Sequence, residues 1–352
     1  MKYGVFLPSA RNGFTISKGA PLYDPTFEHN LETTLEAEKQ GFDFALSMMK
    51  WKGFGGETGY WDSCLETFTL VAGMAARTSK IQLIPSTTLL TTHPAVCARM
   101  IATIDDIAPG RCGLNIVTGW NHIEYESMGI WPGSDYYEQR YEYAAEYIDV
   151  VKRLWTESDV DHEGEFFKLN GANVDPKPSS MPTIVSAGQS PKGLDFTVNN
   201  ADYSFVMTGL ENLKKFTTNM RSKAGAIGRN VGTLPLYAVI TARSDAEAQR
   251  LAEDVVAKAD KTAIGNIIGS ASLDTNEGGS SEHLRAALSL PVEQGNMAFM
   301  SFPLLHGTPE TVASKINDIV AETGVPGIMM SWLDFVPGIR EFGEKIAPKI
   351  TA

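Results

Sequence analysis

The chain has 352 residues, 43% of them hydrophobic and 20% charged, with a formal net charge of −12. That length and mix suit a soluble globular protein with a large core, and the acidic balance argues against a nucleic-acid partner, which needs concentrated Lys and Arg. No apolar run reaches the ~18 residues of a membrane helix.

Residues Met1–Gly13, MKYGVFLPSARNG, carry only a short apolar run before Pro8, too short for a signal peptide. They read instead as a first strand, Lys2–Pro8, followed by a polar loop through Asn12 and Gly13. A helix follows Pro25 and ends near Gly41. A second strand, Phe42–Met48, opens onto Met49-Lys50-Trp51-Lys52-Gly53-Phe54-Gly55-Gly56, read as a flexible glycine-rich loop. A helix over about 63–78 and a strand at Ile81–Thr87 come next, then a helix at Pro94–Ile107.

Ala108-Pro109-Gly110 breaks that helix, since Pro lacks the donor a helix needs and Gly tolerates left-handed geometry. Cys112–Thr118 then reads as a buried strand. Its carboxyl end delivers Asn115, Thr118, Gly119 and Trp120 into a loop that carries Glu124 and Glu126. The pattern predicts a helix from about Tyr136 to Leu154 and a small hairpin around Gly164 within 158–179. Further strands are expected at Pro182–Ala187, Tyr203–Met207, Leu234–Thr241 and Gly327–Trp332, with helices at about 190–199, 213–226, 245–259, 308–321 and 339–346. Residues 270–295 depart from the rhythm, with dense Gly, Ser and Asn, and read as a mobile insertion able to act as a lid.

Eight strand–helix units with continuous apolar strands describe a (β/α)8 TIM barrel in one domain over 1–352. A doubly wound sheet fits less well, because no glycine-rich strand-to-helix turn with a downstream acid is present. In such barrels the working residues sit at the carboxyl ends of the strands.

Several short motifs mislead. Ser47-Met48-Met49-Lys50 matches SxxK, but the Ser ends a strand and the companion SDN and KTG elements are missing. Glu124 and Glu126 are too close on one loop to read as a glycosidase pair. The histidines, His283 among them, have no zinc-ligand spacing, so no metal is expected. Cys64, Cys97 and Cys112 are far apart in apolar surroundings and read as buried free thiols of a reducing cytoplasm.

The stretch ATIDDIAPGR…LNIVTGW, followed by MGIWPGSDYYEQRY and VSAGQS, resembles the bacterial luciferase-like flavin monooxygenases, and the resemblance runs from Met1 to Ile350. GVFLP, PTFE, FDFALSMMKWKGFGG and EFGEKIAP bring it closest to members that oxidise pyrimidines; a sister group oxidises sulfones. The resemblance implies a barrel that binds reduced FMN non-covalently, supplied by a separate NAD(P)H-dependent flavin reductase, with dioxygen as co-substrate. It carries FMN contacts onto Met49, Lys50, Asn115, Glu124, Arg140, Tyr141 and Ser190. It marks Asn115 and Ser86 as flanking the meeting point of oxygen and flavin, with Ser86 standing where the resembled members have Thr. Arg140 and Ser190 suit a phosphate, through a charged fork and helix N-terminal donors. Met48, Trp120 and Phe205 are candidate walls for a flat substrate, and Lys50 a candidate donor to its carbonyl.

The function so implied is oxidative opening of uracil or thymine at the N3–C4 amide. Alternatives are sulfone or sulfonate oxidation, a deazaflavin-dependent reductase on the same fold, and a non-catalytic flavin-binding protein. The expected partners are a small-molecule substrate, a transient reductase and further copies of the chain in a homo-oligomer.

Overall fold

The computed structural model describes residues 1–274 and 280–351. Its strands, in chain order, are β1 Lys2–Phe6, β2 Phe44–Ser47, β3 Gln82–Thr88, β4 Gly113–Val117, β5 Val160–Glu163, β6 Lys168–Ala172, β7 Thr183–Ser186, β8 Tyr203–Val206, β9 Gly232–Thr241, β10 Leu304–Gly307 and β11 Gly327–Trp332. Strands β1, β2, β3, β4, β7, β8, β9 and β11 pair in parallel in that order, and the β1–β11 pairing closes the ring. This is the expected (β/α)8 barrel. The short β5–β6 pair is the expected hairpin, antiparallel and outside the ring.

The strands are buried almost throughout. That explains why they read as unbroken apolar runs: barrel strands face side chains within and helices without. Three helices start alike, with a capping side chain before a proline: His93-Pro94, Ser190-Pro191 and Thr308-Pro309. The cap satisfies a free N–H, and the proline sits where it has no donor to lose.

The structure departs from the sequence expectations at several points. The second helix begins at Thr67, because the Glu66 carboxylate accepts from the N–H groups of Phe68 and Thr69 and fixes the start there. Glu124 lies in a short helix, His122–Glu126, where a loop was expected. A helix at Lys261–Ser270, capped by Asp260, fills a stretch left unassigned. Strand β10 was also missed. It exists because β9 is long: β8 pairs only with its first half, and β10 takes the edge left open from Ala238 to Thr241.

The segment read as a mobile insertion carries a helix, Ser280–Ala286, and two single 3-10 turns. Leu284, Ala287 and Met297 are buried against the barrel. Residues 275–279 of that segment, and any lid motion they take part in, lie outside the described residues. Among the described residues no helix is long and apolar enough to cross a membrane.

Candidate active site

A cavity of about 540 Å3 opens at the carboxyl ends of the strands. Every candidate residue lines it: Met48, Met49 and Lys50 after β2, Ser86 on β3 and Asn115 on β4, then Trp120 and Glu124 beyond β4. Arg140 and Tyr141 reach it from the helix Tyr136–Thr156, with Ser190 after β7 and Phe205 on β8.

The loop after β4 is tied down by the helix that follows it. The Tyr136 hydroxyl donates to the Thr118 carbonyl at 2.6 Å, and the Tyr137 hydroxyl to the Trp120 carbonyl at 2.8 Å. Trp120 and Glu124 are thereby fixed. Lys50, in the loop after β2, does not extend freely over the mouth. Its side chain is 4% exposed, with Nζ 3.0 Å from a Glu124 oxygen. The same oxygen accepts from the Trp51 N–H at 3.0 Å. Phe54 and Trp120 offer their rings to the ammonium, at 4.6 and 5.0 Å from the ring centres. Burial pulls the Lys50 pKa below its ordinary value, and Glu124 acts against that pull.

The glycine-rich loop is likewise no open flap. The Phe54 N–H donates to the Tyr60 carbonyl and the Tyr60 N–H to the Gly55 carbonyl, closing a tight turn. Gly56 sits at φ +76, and a Cβ there would stand 2.4 Å from an Asp260 carboxylate oxygen. Only glycine fits that seat.

On the opposite side of the ring the geometry suits an anion. Ser190 caps the helix Pro191–Asn200, its hydroxyl accepting from the Gly193 N–H at 3.2 Å. A Cβ on Gly188 would stand 2.7 Å from the Gly193 Cα, so the turn closes only with glycine. Arg140 is buried, stacked over the Tyr137 and Tyr141 rings, and its Nη1 lies 3.1 Å from an Asp274 oxygen. Part of the fork expected for a ligand is thus already on a carboxylate, while its Nε is buried with no partner among the described residues.

Ser86 and Asn115 are register partners across β3 and β4. The Asn115 amide nitrogen donates to the Ser86 hydroxyl at 2.8 Å. That contact orients the amide and leaves its Oδ1 buried without a partner among the described residues. An orphaned buried acceptor is costly, about 1–3 kcal/mol, and points to a donor supplied by a ligand.

The sequence reading missed the aromatic end of the cavity. Phe6 stacks on Phe14 with ring centres 4.2 Å apart, Phe302 lies 5.2 Å from Phe14, and Phe205 lies 6.0 Å from Phe6. Phe6 closes β1, so the strand-end rule could have found it; Phe14 and Phe302 sit in loops with no such signal. His283 and Ser301 also line the cavity, and no motif in the sequence marks either as a site residue.

The luciferase-like monooxygenase family profile matches residues 1–326. The pyrimidine monooxygenase RutA of Acinetobacter baylyi is 42% identical, over 100% of this chain and 95% of its own length. RutA of Cronobacter turicensis is 41% identical, over 99% and 92%. A crystal structure of riboflavin lyase RcaE superposes with a TM-score of 0.81 over 99% of this chain and 90% of that one, at 18% identity, a likeness of fold. With the family profile matching most of its length and relatives above 40% identity spanning nearly all of it, the chain belongs to the luciferase-like monooxygenase family.

Proposed function

We propose that this chain is a two-component, FMN-dependent monooxygenase that opens uracil or thymine at the N3–C4 amide with reduced FMN and dioxygen. The observation that carries the reading is the cavity's division of labour. An anion cradle and an orphaned amide acceptor share one cavity with an aromatic wall made by Phe6, Phe14, Phe205 and Phe302. The full-length likeness to proteins named as pyrimidine monooxygenases supports the substrate class.

The residues present fit the cofactor. Arg140, the Ser190 hydroxyl and the positive amino end of the helix Pro191–Asn200 would hold its phosphate. Asn115 Oδ1 would accept from a ring N–H, with Met49 and Glu124 beside it. Bound reduced flavin supplies the electrons that activate dioxygen. The chain's own groups do the rest. The aromatic wall would pack against the ring and keep water from it, which strengthens every polar contact inside. As C4 becomes tetrahedral, a remaining N–H of the Lys50 ammonium, held by Glu124 at the cavity wall, or of the Asn115 amide would carry charge growing on its oxygen, as preorganised donors do in acyl transfer. The bond formed is from an O2-derived oxygen to C4, its carbonyl pair moving onto oxygen; when that carbonyl re-forms, the C4–N3 bond breaks, its pair stays on N3, and N3 takes a proton from solvent. A sulfone has no ring to stack against Phe6 and Phe14.

The test is mass spectrometry of products from reduced FMN, oxygen and a panel of labelled pyrimidines and sulfones, with a flavin reductase added or withheld. Uracil should be converted to a ring-opened product carrying one oxygen from O2, and NADH should be consumed only when the reductase is present. Unchanged uracil alongside an oxidised sulfone would sink the pyrimidine assignment.

A further inference from the structure

Beside the aromatic wall the backbone makes an unusual turn. Met300 and Ser301 stand at φ +50 and +62, two consecutive non-glycine residues in the left-handed region. Such residues are strained, and strain of this kind clusters at working sites. The turn is held by N–H bonds from Met300 to the Met297 carbonyl, Ser301 to Asn296 and Phe302 to Phe299. One result is that Phe302 reaches Phe14 in that wall. The other is that the Ser301 hydroxyl, 1% exposed by residue, meets His283 Nε2 at 3.2 Å across 18 residues of chain. Both residues line the cavity.

Burial lowers the His283 pKa from its ordinary value, so the imidazole is neutral at pH 7. Among the described residues Ser301 is its hydrogen-bond partner. In either tautomer of the neutral ring the pair keeps one donor and one acceptor: if Nε2 accepts from the Ser301 hydroxyl, Nδ1–H donates and the Ser301 oxygen accepts, and if Nε2–H donates to Ser301, Nδ1 accepts and the hydroxyl donates. The two groups together offer that donor and acceptor next to the aromatic wall.

We propose that His283 and Ser301 recognise the polar edge of the substrate, a ring amide presenting a carbonyl beside an N–H, and so set the preference for unsubstituted pyrimidines. The assignment rests on the pyrimidine reading above and goes beyond it by naming the residues that read the ring. A group offering only acceptors, such as a sulfone, leaves half of the pair unmatched. A site built to hydrogen-bond a substrate group rejects analogues lacking it far more strongly than an apolar pocket does.

The test uses the full chain with reduced FMN. Ser301→Gly removes the hydroxyl at a backbone geometry that glycine tolerates, and His283→Leu removes the imidazole, while His283→Gln keeps a neutral hydrogen-bonding group. In the first two, KM for uracil should rise roughly tenfold or more, the worth of one or two lost hydrogen bonds. The preference for uracil over its N-methylated forms should fall by a similar factor, and FMN affinity should stay as in the parent. His283→Gln should recover most of the loss. Variants that keep the parent's uracil KM and its preference overturn the assignment while leaving the pyrimidine reading standing. So does a loss of FMN affinity as large as the loss for uracil. A parent enzyme inert toward uracil overturns both.

Discussion

At the scale of single residues the two buried cations matter most, and each arrives already paired. Lys50 and Glu124 are 4% and 6% exposed, so removing one partner strands a charge in a dry site. Breaking a buried pair in this way costs about 3–5 kcal/mol, whereas replacing both partners is often near neutral. Lys50→Met should therefore lower unfolding stability by about that amount, and Lys50→Met with Glu124→Gln should recover more than half of it in denaturant titrations. Equal losses in the single and double variants would show that Glu124 is sustained by Trp51 and not by Lys50. Arg140 poses the same problem for any test of its ligand role, because Arg140→Ala would take from the buried Asp274 carboxylate the cation paired with it. The informative comparison is Arg140→Ala in an Asp274→Asn background. There FMN affinity should fall by ~1.5–3 kcal/mol, the worth of hydrogen bonds to a charged group, and riboflavin affinity should hold. Matching losses for both flavins would make Arg140 a structural residue. Sequence alone marked Lys50, Glu124 and Arg140 as belonging to the site. It could not mark their pairing, since 73 residues separate Trp51 from Glu124 and 134 separate Arg140 from Asp274.

At the scale of elements, the loop after β2 shows how a stretch that looks flexible becomes fixed. Gly53, Gly55 and Gly56 suggested a flap. Here the glycines allow close approach: the Asp260 carboxylate accepts from the Thr58 N–H and hydroxyl and also caps the helix Lys261–Ser270. One side chain thus joins the loop to a helix that the sequence reading had left unassigned. Burial raises the Asp260 pKa, but the bonds from Thr58, Ala263 and Thr262 outweigh it and hold the group below its ordinary value. A depressed carboxyl pKa contributes stability that is fully present above the unfolded value and lost as pH falls through the folded one. Asp260→Asn should be less stable than the parent at neutral pH, and the deficit should persist down to about pH 4, near the unfolded value, narrowing only below it. A deficit that shrinks between pH 7 and 5 would point to another group. Gly56→Ala should cost about 2 kcal/mol or more, from left-handed strain and the clash with Asp260. The barrel strands were legible because burial on both faces makes them apolar throughout. The loop was not, because its order comes from a carboxylate some 200 residues away in sequence; Thr58 and Asp260 are separated by 202 positions.

At the scale of the whole molecule, ring closure brings residues from five barrel strands, and from the loops beyond these and β2, to one cavity, as the strand-end rule foretold. What that rule could not give is the electrostatics of the approach. The chain carries a net charge of −12. The cavity's two buried cations do not offset it locally, because Glu124 neutralises Lys50 and Asp274 neutralises Arg140. An FMN phosphate, close to doubly charged near pH 7, therefore approaches an acidic protein through a mouth with little compensating positive charge. Long-range repulsion of this kind is screened by salt over a Debye length of ~10 Å at 0.1 M and ~30 Å at 0.01 M. The association rate of reduced FMN should accordingly rise as ionic strength is raised from about 0.01 to 0.1 M, opposite to the behaviour of a steering cationic cleft. Riboflavin is uncharged at the position of the phosphate and should show almost no salt dependence over the same range. Stopped-flow measurement of both flavins under anaerobic conditions separates the two cases. An FMN association rate that falls with salt would mean that a positive field at the mouth outweighs the chain's net charge, and that Arg140 is released from Asp274 before the phosphate arrives.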